Sequence, residues 1–364
     1  VGDTKLTVNV LEERWYSGNL RLDNHGSEET SENRAYVDVY LHNPLGIGDE
    51  LYLALLNSYD PDNSTYGAIR YKTMLGSPRW RFEMGFSTND FVSRRLGNAD
   101  FTFTGESEVA DASLRYFFSR SRVKNYSMDL KYTDISTVLD SQGQSNQETQ
   151  KVSLGFNFDV LNEKRRHLYV GRVALSTADS LTTGFNGGEG SHVIFDYDAS
   201  MLSFVHFPFT KYETRLVYKS RGQYAGEGVS NLNQLSLTGP DTARAFAVNG
   251  FQADDALYVG VDWVVTLPKF NGATFFGEPI NKVIQPYLFL DVAYGIQQPF
   301  EGNVTTFGGD AVEGKLADVG IGVNFNYDAF QASLLTASPL LDDIEGANQD
   351  TPRSSVYFQL QYAY

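Results

Sequence analysis

Cysteine is absent from the chain, and so are long apolar runs and any clustering of histidine. The lack of cysteine fits an envelope protein that avoids adventitious disulfides. No stretch approaches the roughly 20 consecutive apolar residues that a membrane-spanning helix needs. The histidines stand far apart without the spacing of metal ligands, so we expect no zinc site. They are His25, His42, His167, His192 and His206.

Positive charge is also scarce. The chain carries 29 lysines and arginines against 45 aspartates and glutamates, which gives a formal net charge of −16. Nucleic-acid binding needs a basic footprint, so this balance argues against a nucleic-acid partner. The glycine-rich segment Gly184–Gly190 lacks the Lys-Ser/Thr of a phosphate loop, and His206 alone is placed for a lipase-type site. We therefore expect no enzyme and no cofactor.

Aromatic side chains, by contrast, are abundant. They make up 14% of the 364 residues, with 22 tyrosines and 25 phenylalanines. High aromatic content combined with negative mean hydropathy is typical of a transmembrane β-barrel, in which only every second residue meets lipid. No export signal is visible, so we do not expect Val1 to be the natural start. A strand-like segment ends near Glu12, and a new pattern begins at residue 14.

From residue 14 onwards, apolar and polar residues alternate in segments separated by turns. In one segment Val152, Leu154 and Phe156 oppose Ser153 and Gly155. Equivalent segments cover 80–87, 318–327 and 356–364. We count about sixteen such segments, an even number as this class of barrel has. The sequence therefore predicts an all-β fold, a transmembrane antiparallel β-barrel of about 16 strands over residues 14–364, with the apolar faces toward lipid.

The connections between these segments alternate between short and long. Short turns are predicted at 43–50, 75–78, 119–122, 161–164, 208–211 and 326–329. Long loops are predicted at 25–33, 88–105, 133–147, 177–196, 222–254, 297–314 and 339–351. Outer-membrane barrels place short turns on the periplasmic rim and long loops outside. One connection, 268–282, is long where a short turn is due.

The longest connection, 222–254, is the most distinctive part of the chain. At its tip Gly239 and Pro240 bend and stiffen the backbone, and Arg244 and Phe246 are the only large side chains nearby. A loop of this length in a strand-rich chain is usually either functional or a disordered excursion. From composition alone, a mobile surface loop with an incidental arginine remains the alternative to a functional insertion.

This tip resembles a known motif. The segment Gly239-Pro-Asp-Thr-Ala-Arg-Ala-Phe246 is similar to the Gly-Gly-Pro-x-x-Val-Arg-Gly-Tyr/Phe loop of two-partner-secretion outer-membrane transporters, the haemolysin-activator type. Further similar segments follow in the family's order: Leu22–Ser27, Asn43–Asp49, Phe289–Gly295 and Ala337–Leu340. The chain departs from the family's motifs where Ala243, Ala245 and Ala293 replace valine, glycine and glycine.

The resemblance implies a bacterial outer-membrane transporter that secretes a large partner exoprotein through the barrel without nucleotide or metal. It also implies that the long loop folds into the lumen as a gate, where Asp291, beside Phe289, holds Arg244. Residues 1–13 would then be the remnant of a periplasmic POTRA-like domain. We expect a monomer in contact with outer-membrane lipids and lipopolysaccharide. An insertase of the same superfamily and a passive porin remain alternatives.

The predicted lumen carries charges of both signs. Mixed charge fits a polypeptide conduit better than a ring of one sign, which an ion-selective pore tends to have. Solvating and stiffening the interior is the main role expected for most of these residues. The predicted inward positions are Arg81, Glu83, Arg115, Asp129, Lys131, Arg172, Glu213, Arg215, Lys219, Asp262 and Asp291.

Overall fold

The computed structural model of the protein is a closed antiparallel β-barrel of 16 strands, as the alternation predicts. The structure describes residues 14–95, 101–140, 144–183, 188–206, 213–266, 272–299, 310–345 and 356–364. Within these ranges no helix has the length and apolar character needed to cross a membrane. The POTRA-like remnant predicted at 1–13 lies outside the described residues.

Each barrel strand pairs with its neighbours in chain order, and the last pairs with the first. The barrel strands are β1 Tyr16–Asp23, β2 Arg34–His42, β3 Glu50–Ser58, β4 Ser64–Met74, β5 Trp80–Arg95, β6 Phe101–Arg120, β7 Lys124–Asp140, β8 Gln144–Asn162, β9 His167–Thr183, β10 Gly188–His206, β11 Glu213–Tyr224, β14 Asp255–Val264, β17 Ile284–Gln297, β18 Val312–Tyr327, β19 Phe330–Ile344 and β20 Val356–Ala363. The described parts of the connections hold two small two-stranded sheets and two helical turns: β12 Leu235–Ser236 with β13 Gln252–Ala253, β15 Thr274–Phe275 with β16 Glu278–Pro279, a 3-10 turn at Asn231–Asn233, and α1 Ile280–Val283.

The two faces of the wall follow the predicted alternation. On β8, Val152, Leu154 and Phe156 are exposed on the outside, whereas Ser153 and Gly155 are buried toward the interior. Successive side chains of a strand point to opposite faces, so this pattern repeats around the barrel. The exposed apolar face therefore covers the outside of the barrel, as the alternation predicts.

Several predicted loops are wrong, because the strands that flank them are longer than the alternation indicates. Most of the predicted loops 88–105, 133–147 and 177–196 belongs to β5–β10, and part of 339–351 belongs to β19. Many residues of these extensions are polar on both faces of the strand, so the alternation with apolar residues is lost there. The backbone ladder continues where the sequence signal ends.

The remaining connections separate the two rims as predicted. One rim, which we call the short-turn rim, carries the turns 43–49, 75–79, 121–123, 163–166 and 328–329. The connection 265–283 on this rim is long, as its sequence indicates, and it contains β15, β16 and α1. The opposite rim carries the loop 225–254, which we call the inner loop.

The barrel closes along a short seam between its first and last strands. The β1–β20 ladder runs from the pair Asn19–Ala363 to the pair Asp23–Gln359. The side chain of Asn24 extends the seam, because it donates to the carbonyl of Val356 at 2.9 Å and accepts from the N–H of Phe358 at 2.7 Å.

Candidate functional site

The inner loop lies against the inside of the wall. Leu237, Phe246 and Phe251 are buried in one apolar cluster with the inward side chains Tyr258 and Leu316. A second stretch of the loop, at Val229, packs on inward residues of β9 and β10. Because buried contacts occur at separate stretches of the inner loop, they hold more of the loop against the wall than its tip alone.

Backbone hydrogen bonds shape the tip. Gly239 has φ of +124°, a conformation that side-chain-bearing residues rarely adopt. The turn that it forms lets the N–H of Thr242 donate to the carbonyl of Gly239 at 3.1 Å, and that of Ala243 to Leu237 at 3.1 Å. Pro240 follows half-buried at the bend. Ala245, which stands where the family motif has glycine, does not have positive φ, so glycine is not required at this position.

Arg244 is buried, with 3% of its side chain exposed, and it meets two carboxylates. Its Nε and Nη2 donate to Asp291 Oδ2 and Oδ1 at 2.7 and 2.9 Å, a bidentate pair. Its Nη2 also donates to Asp262 at 2.5 Å. The guanidinium carbon lies 3.7 Å from the centre of the Phe289 ring, which is cation–π geometry.

The environment favours the charged form of Arg244. Burial lowers the pKa of this loop residue. The hydrogen bonds and the negative charge of Asp291 raise it, those of Asp262 raise it further, and together they outweigh burial. The net result is a pKa above the usual range of arginine. The guanidinium is therefore a permanent cation fixed between anionic groups of the wall.

Other wall residues hold Asp291 in place. The hydroxyl of Tyr258 donates to Asp291 Oδ1 at 2.8 Å. The opposing residue on β14 is Gly260, where a Cβ would overlap both the Tyr258 hydroxyl and the Asp291 carboxylate. The missing side chain therefore creates the space in which the tyrosine reaches the aspartate. Lys219 adds a second cation, 3.0 Å from Asp262.

A third carboxylate, that of Asp318 on β18, stands opposite Asp291 in the neighbouring strand. Its Oδ2 accepts the backbone N–H of Ala245 at 3.1 Å. Its Oδ1 is buried and has no hydrogen-bond partner in the described chain. Three carboxylates thus surround the tip of the inner loop, with Arg244 and Lys219 as the cations.

Phe246 anchors the tip on the other side. Its ring is fully buried, and its carbonyl accepts the hydroxyl of Tyr357 on β20 at 2.9 Å. The ring of His25 meets Tyr357 edge-on, with centroids 5.5 Å apart. The inner loop therefore contacts both strands β17–β18, through Arg244 and Ala245, and the seam strand β20.

The rest of the lumen holds ion pairs of mixed sign, at many of the positions predicted to face inward. Asp129 accepts Arg172 at 2.8 Å and lies 3.5 Å from Arg115. Arg70 joins Glu83 and Asp111 at 2.7 and 3.0 Å. Further ion pairs and hydrogen bonds join Lys131 to Asp111, Glu213 to Arg166 and Arg215 to Gln285. No group of residues in the described chain could hold a metal ion.

Sequence reasoning missed Tyr258, Gly260, Asp318 and Tyr357, and it placed Asp262 in the lumen without a partner. These residues come from three different strands, and Asp318 and Tyr357 are far from the loop tip in sequence. Asp318 did carry a weak signal, since it shares the inward parity of Gly320 and Gly322. Nothing in its local sequence indicates which loop residue it meets.

A closed, aromatic-rich barrel with an ion-paired loop inside it defines a class, the outer-membrane β-barrel proteins. The chain belongs to the haemolysin secretion/activation protein family ShlB/FhaC/HecB, whose model matches residues 2–295. The members of this family are secretion transporters rather than enzymes, and they reside in the bacterial outer membrane. The family predicted from the loop and strand motifs is thereby confirmed.

Individual relatives are distant. The heme/hemopexin transporter protein HuxB of Haemophilus influenzae (strain 86-028NP) is 20% identical over 362 residues, which cover 96% of this chain and 61% of HuxB. The chain thus spans about three-fifths of that relative's length.

Solved structures share the fold. CdiB from Escherichia coli superposes with a TM-score of 0.73 at 15% identity, covering 98% of this chain and 64% of CdiB. CdiB from Acinetobacter baumannii gives 0.72 at 14%, covering 97% and 60%. BamA from Haemophilus ducreyi lacking POTRA domains 1–3 gives 0.62 at 13%, covering 97% and 71%.

Proposed function

We propose that the protein secretes a large partner exoprotein through its barrel and that the inner loop gates this path. The observation that carries the proposal is the buried ion pair between Arg244 and Asp291, which holds a long loop inside a charged lumen. A passive pore does not require a loop that an ion pair holds inside the lumen. Membership of a family of secretion transporters supports the transport part of the proposal.

The energetics suit a gate. Removing one partner of a buried ion pair costs about 3–5 kcal/mol, because the other charge is left uncompensated. That amount is large enough to keep the loop closed at rest. The proposed gating residues are Gly239, Pro240, Arg244 and Phe246, with Asp291 and Phe289 as their partners on the wall. A polypeptide entering the lumen would compete for the same charged groups.

Charge reversal tests the gate. Arg244→Asp and Asp291→Arg should each impair secretion and raise the single-channel conductance, because each breaks the pair and frees the loop. Both changes together should restore much of the loss, as expected for residues that are directly coupled. Additive losses without rescue, in barrels that are correctly inserted, would show that the pair does not control the loop.

Two alternatives remain distinguishable. A passive porin would show the same conductance before and after deletion of 230–250, whereas a plugged transporter would become more conductive. An insertase is favoured by the short seam and by the shared fold with BamA. That function would appear as assembly of other barrels by the purified protein rather than as secretion of one partner.

The surroundings are part of the proposal. We place the barrel in the outer membrane as a monomer, in contact with phospholipid and lipopolysaccharide, with an exoprotein as its only polypeptide substrate. Residues 1–13 would belong to a periplasmic POTRA-like domain. The name of HuxB describes heme/hemopexin transport, which offers one class of cargo to test. Native mass spectrometry of the purified protein would check the oligomeric state.

A further inference from the structure

We propose that the short-turn rim carries a binding site for anionic phospholipid headgroups. The site is an arc of five cations on three neighbouring turns, which we call the basic arc: Arg79, Arg122, Lys124, Lys164 and Arg165. This assignment depends on the location of the barrel in the outer membrane and not on secretion or gating.

The basic arc is unusual for this chain. The protein has a net charge of −16, yet the turns 75–79, 121–123 and 163–166 and their edges concentrate positive charge on one side of a single rim. All five side chains are exposed. None of the five makes an ion pair with a carboxylate in the described chain, so their charge is available to a ligand.

Two other arginines at these turns have partners within the protein. Arg166 pairs with Glu213 and covers the ring of Phe204 at 4.8 Å. Arg120 donates to the carbonyl of Pro78 at 3.2 Å and covers the ring of Phe117 at 4.9 Å. Arg79 of the basic arc donates to the hydroxyl of Tyr116 at 3.4 Å, which leaves its charge unneutralised. What distinguishes the basic arc from Arg166 is therefore that none of its five charges is paired with a carboxylate in the described chain.

Aromatic side chains fix the depth of the basic arc in the membrane. The outward rings form contacting pairs immediately above it, with centroid distances of 4.7 Å for Trp80–Tyr116, 5.1 Å for Tyr116–Phe118 and 6.1 Å for Tyr126–Phe156. Aromatic girdles of this kind mark the boundary between hydrocarbon and headgroups in barrels. The rim therefore lies just beyond that boundary.

The distance from the aromatic girdle to the cations of the basic arc matches the thickness of the lipid headgroup layer. Arg79 adjoins Trp80, and Lys124 stands two residues from Tyr126. A strand that rises about 3.4 Å per residue at a tilt of about 40° places Lys124 roughly 5 Å beyond the ring. The headgroup region on each side is about 5–7 Å thick. The cations consequently lie at the level of the lipid phosphates rather than in free solution.

The depth of the basic arc in the membrane favours a phospholipid over a soluble ligand. A soluble acidic polypeptide could meet the same cations, but it would not require them to adjoin an aromatic girdle along three successive turns. An anionic phospholipid places its tail against the rings and its phosphate at the cations at the same time. Each cation near a negatively charged membrane surface contributes about fivefold in attraction, so five together give strong local enrichment.

The test measures lipid composition around the barrel. The full chain is reconstituted in nanodiscs of phosphatidylcholine and phosphatidylglycerol in equal parts, extracted in mild detergent, and the retained lipids are quantified. We expect phosphatidylglycerol to exceed phosphatidylcholine several-fold around the wild type, with less excess at high salt. The variant with Arg79→Gln, Arg122→Gln, Lys124→Gln, Lys164→Gln and Arg165→Gln should approach the bulk ratio.

Two controls separate charge from structure. Arg79→Lys, Arg122→Lys and Arg165→Lys together keep the charge and should keep the enrichment. Lys282→Gln removes an exposed cation of the same rim that faces Glu278 at 3.6 Å, and it should change nothing. Heat-dependent gel mobility checks that every variant is folded. Equal lipid ratios in the wild type and the five-glutamine variant would overturn the proposal. So would a wild type without enrichment whose variant loses secretion, since the arc would then serve an acidic polypeptide.

Discussion

The charge balance around Arg244 is the decisive feature at the scale of single residues. Asp262, Asp291 and Asp318 contribute three carboxylates, and in the described part of the chain the cations that pair with this group are Arg244 and Lys219. Asp318 pairs with neither cation, and its Oδ1 has no hydrogen-bond partner in the described chain. This carboxylate therefore serves as an acceptor for the backbone of the loop and not as a partner for the guanidinium.

That difference predicts opposite effects for two substitutions at the same position. Asp318→Asn keeps an oxygen for the N–H of Ala245 and removes a second carboxyl group from beside Asp291, so the free energy of unfolding should stay equal or rise. Asp318→Ala leaves that buried N–H without an acceptor and should cost about 1–3 kcal/mol. Chemical unfolding in lipid vesicles measures both. Equal destabilisation by asparagine and alanine would show that the charge of Asp318 itself stabilises the site.

A second residue-scale prediction concerns His25, which lies in the loop after β1. The pKa of His25 is lowered because burial disfavours the imidazolium, with Asp23 and Asp241 acting in the opposite direction. The charged groups that face it are Asp23, Arg34, Asp241 and Arg21. An unfolded chain takes up this proton at a pH of about 6.5, before the folded chain does. The stability of the barrel should therefore fall as the pH drops through about 6.5.

The contribution of His25 is isolated by comparing how the unfolding free energy changes with pH in different variants. His25→Asn should show a smaller loss of unfolding free energy between about pH 7.5 and pH 5.5 than the wild type, whatever its absolute stability. His206→Asn, at an exposed position, should keep the slope of the wild type. An unchanged slope in His25→Asn would mean that the proton is taken up elsewhere.

At the scale of strands and loops, the apolar period predicts the membrane-spanning parts of the barrel but not the full length of its strands. In β8 the alternation of Val152, Leu154 and Phe156 is clear, because one face meets lipid and the other the lumen. Thr149 and Gln150 continue the same strand with polar groups on both faces. Their place in the strand is therefore visible only from their backbone pairing with β9 and not from the sequence. The pairing of the inner loop with its wall could be inferred only through the family motif, since it depends on contacts between distant strands.

The register of β18 gives the prediction at this scale. Ile321 is 56% exposed on the outer face and Asn324 points inward. Ile321→Lys should lower the unfolding free energy by about 2–4 kcal/mol, the effect of lysine near the midplane of a bilayer. Asn324→Lys introduces the same charge into the lumen and should stay within about 0.5 kcal/mol of the wild type. Similar losses in vesicle unfolding would contradict the assignment of the two faces.

At the scale of the whole molecule, the seam and the inner loop belong to one closed system. The inner loop contacts β20 through the hydrogen bond between Tyr357 and Phe246, and β20 closes the barrel on β1. The proposed route of an exoprotein through the lumen requires the loop to move and the seam to stay shut. An insertase route requires the seam to open. The two functions therefore make different demands on the same five-pair ladder.

A disulfide across the seam separates the two routes. Leu20 and Tyr362 are paired neighbours on the lipid face of β1 and β20, a suitable place for a crosslink, and the chain has no other cysteine to interfere. The variant Leu20→Cys with Tyr362→Cys should secrete its partner equally well in oxidised and reduced form, because the lumen is untouched. Leu20→Cys alone controls for the substitution. Loss of secretion on oxidation, restored by reduction, would show that the seam must open, and it would favour an insertase-like mechanism over the proposed conduit.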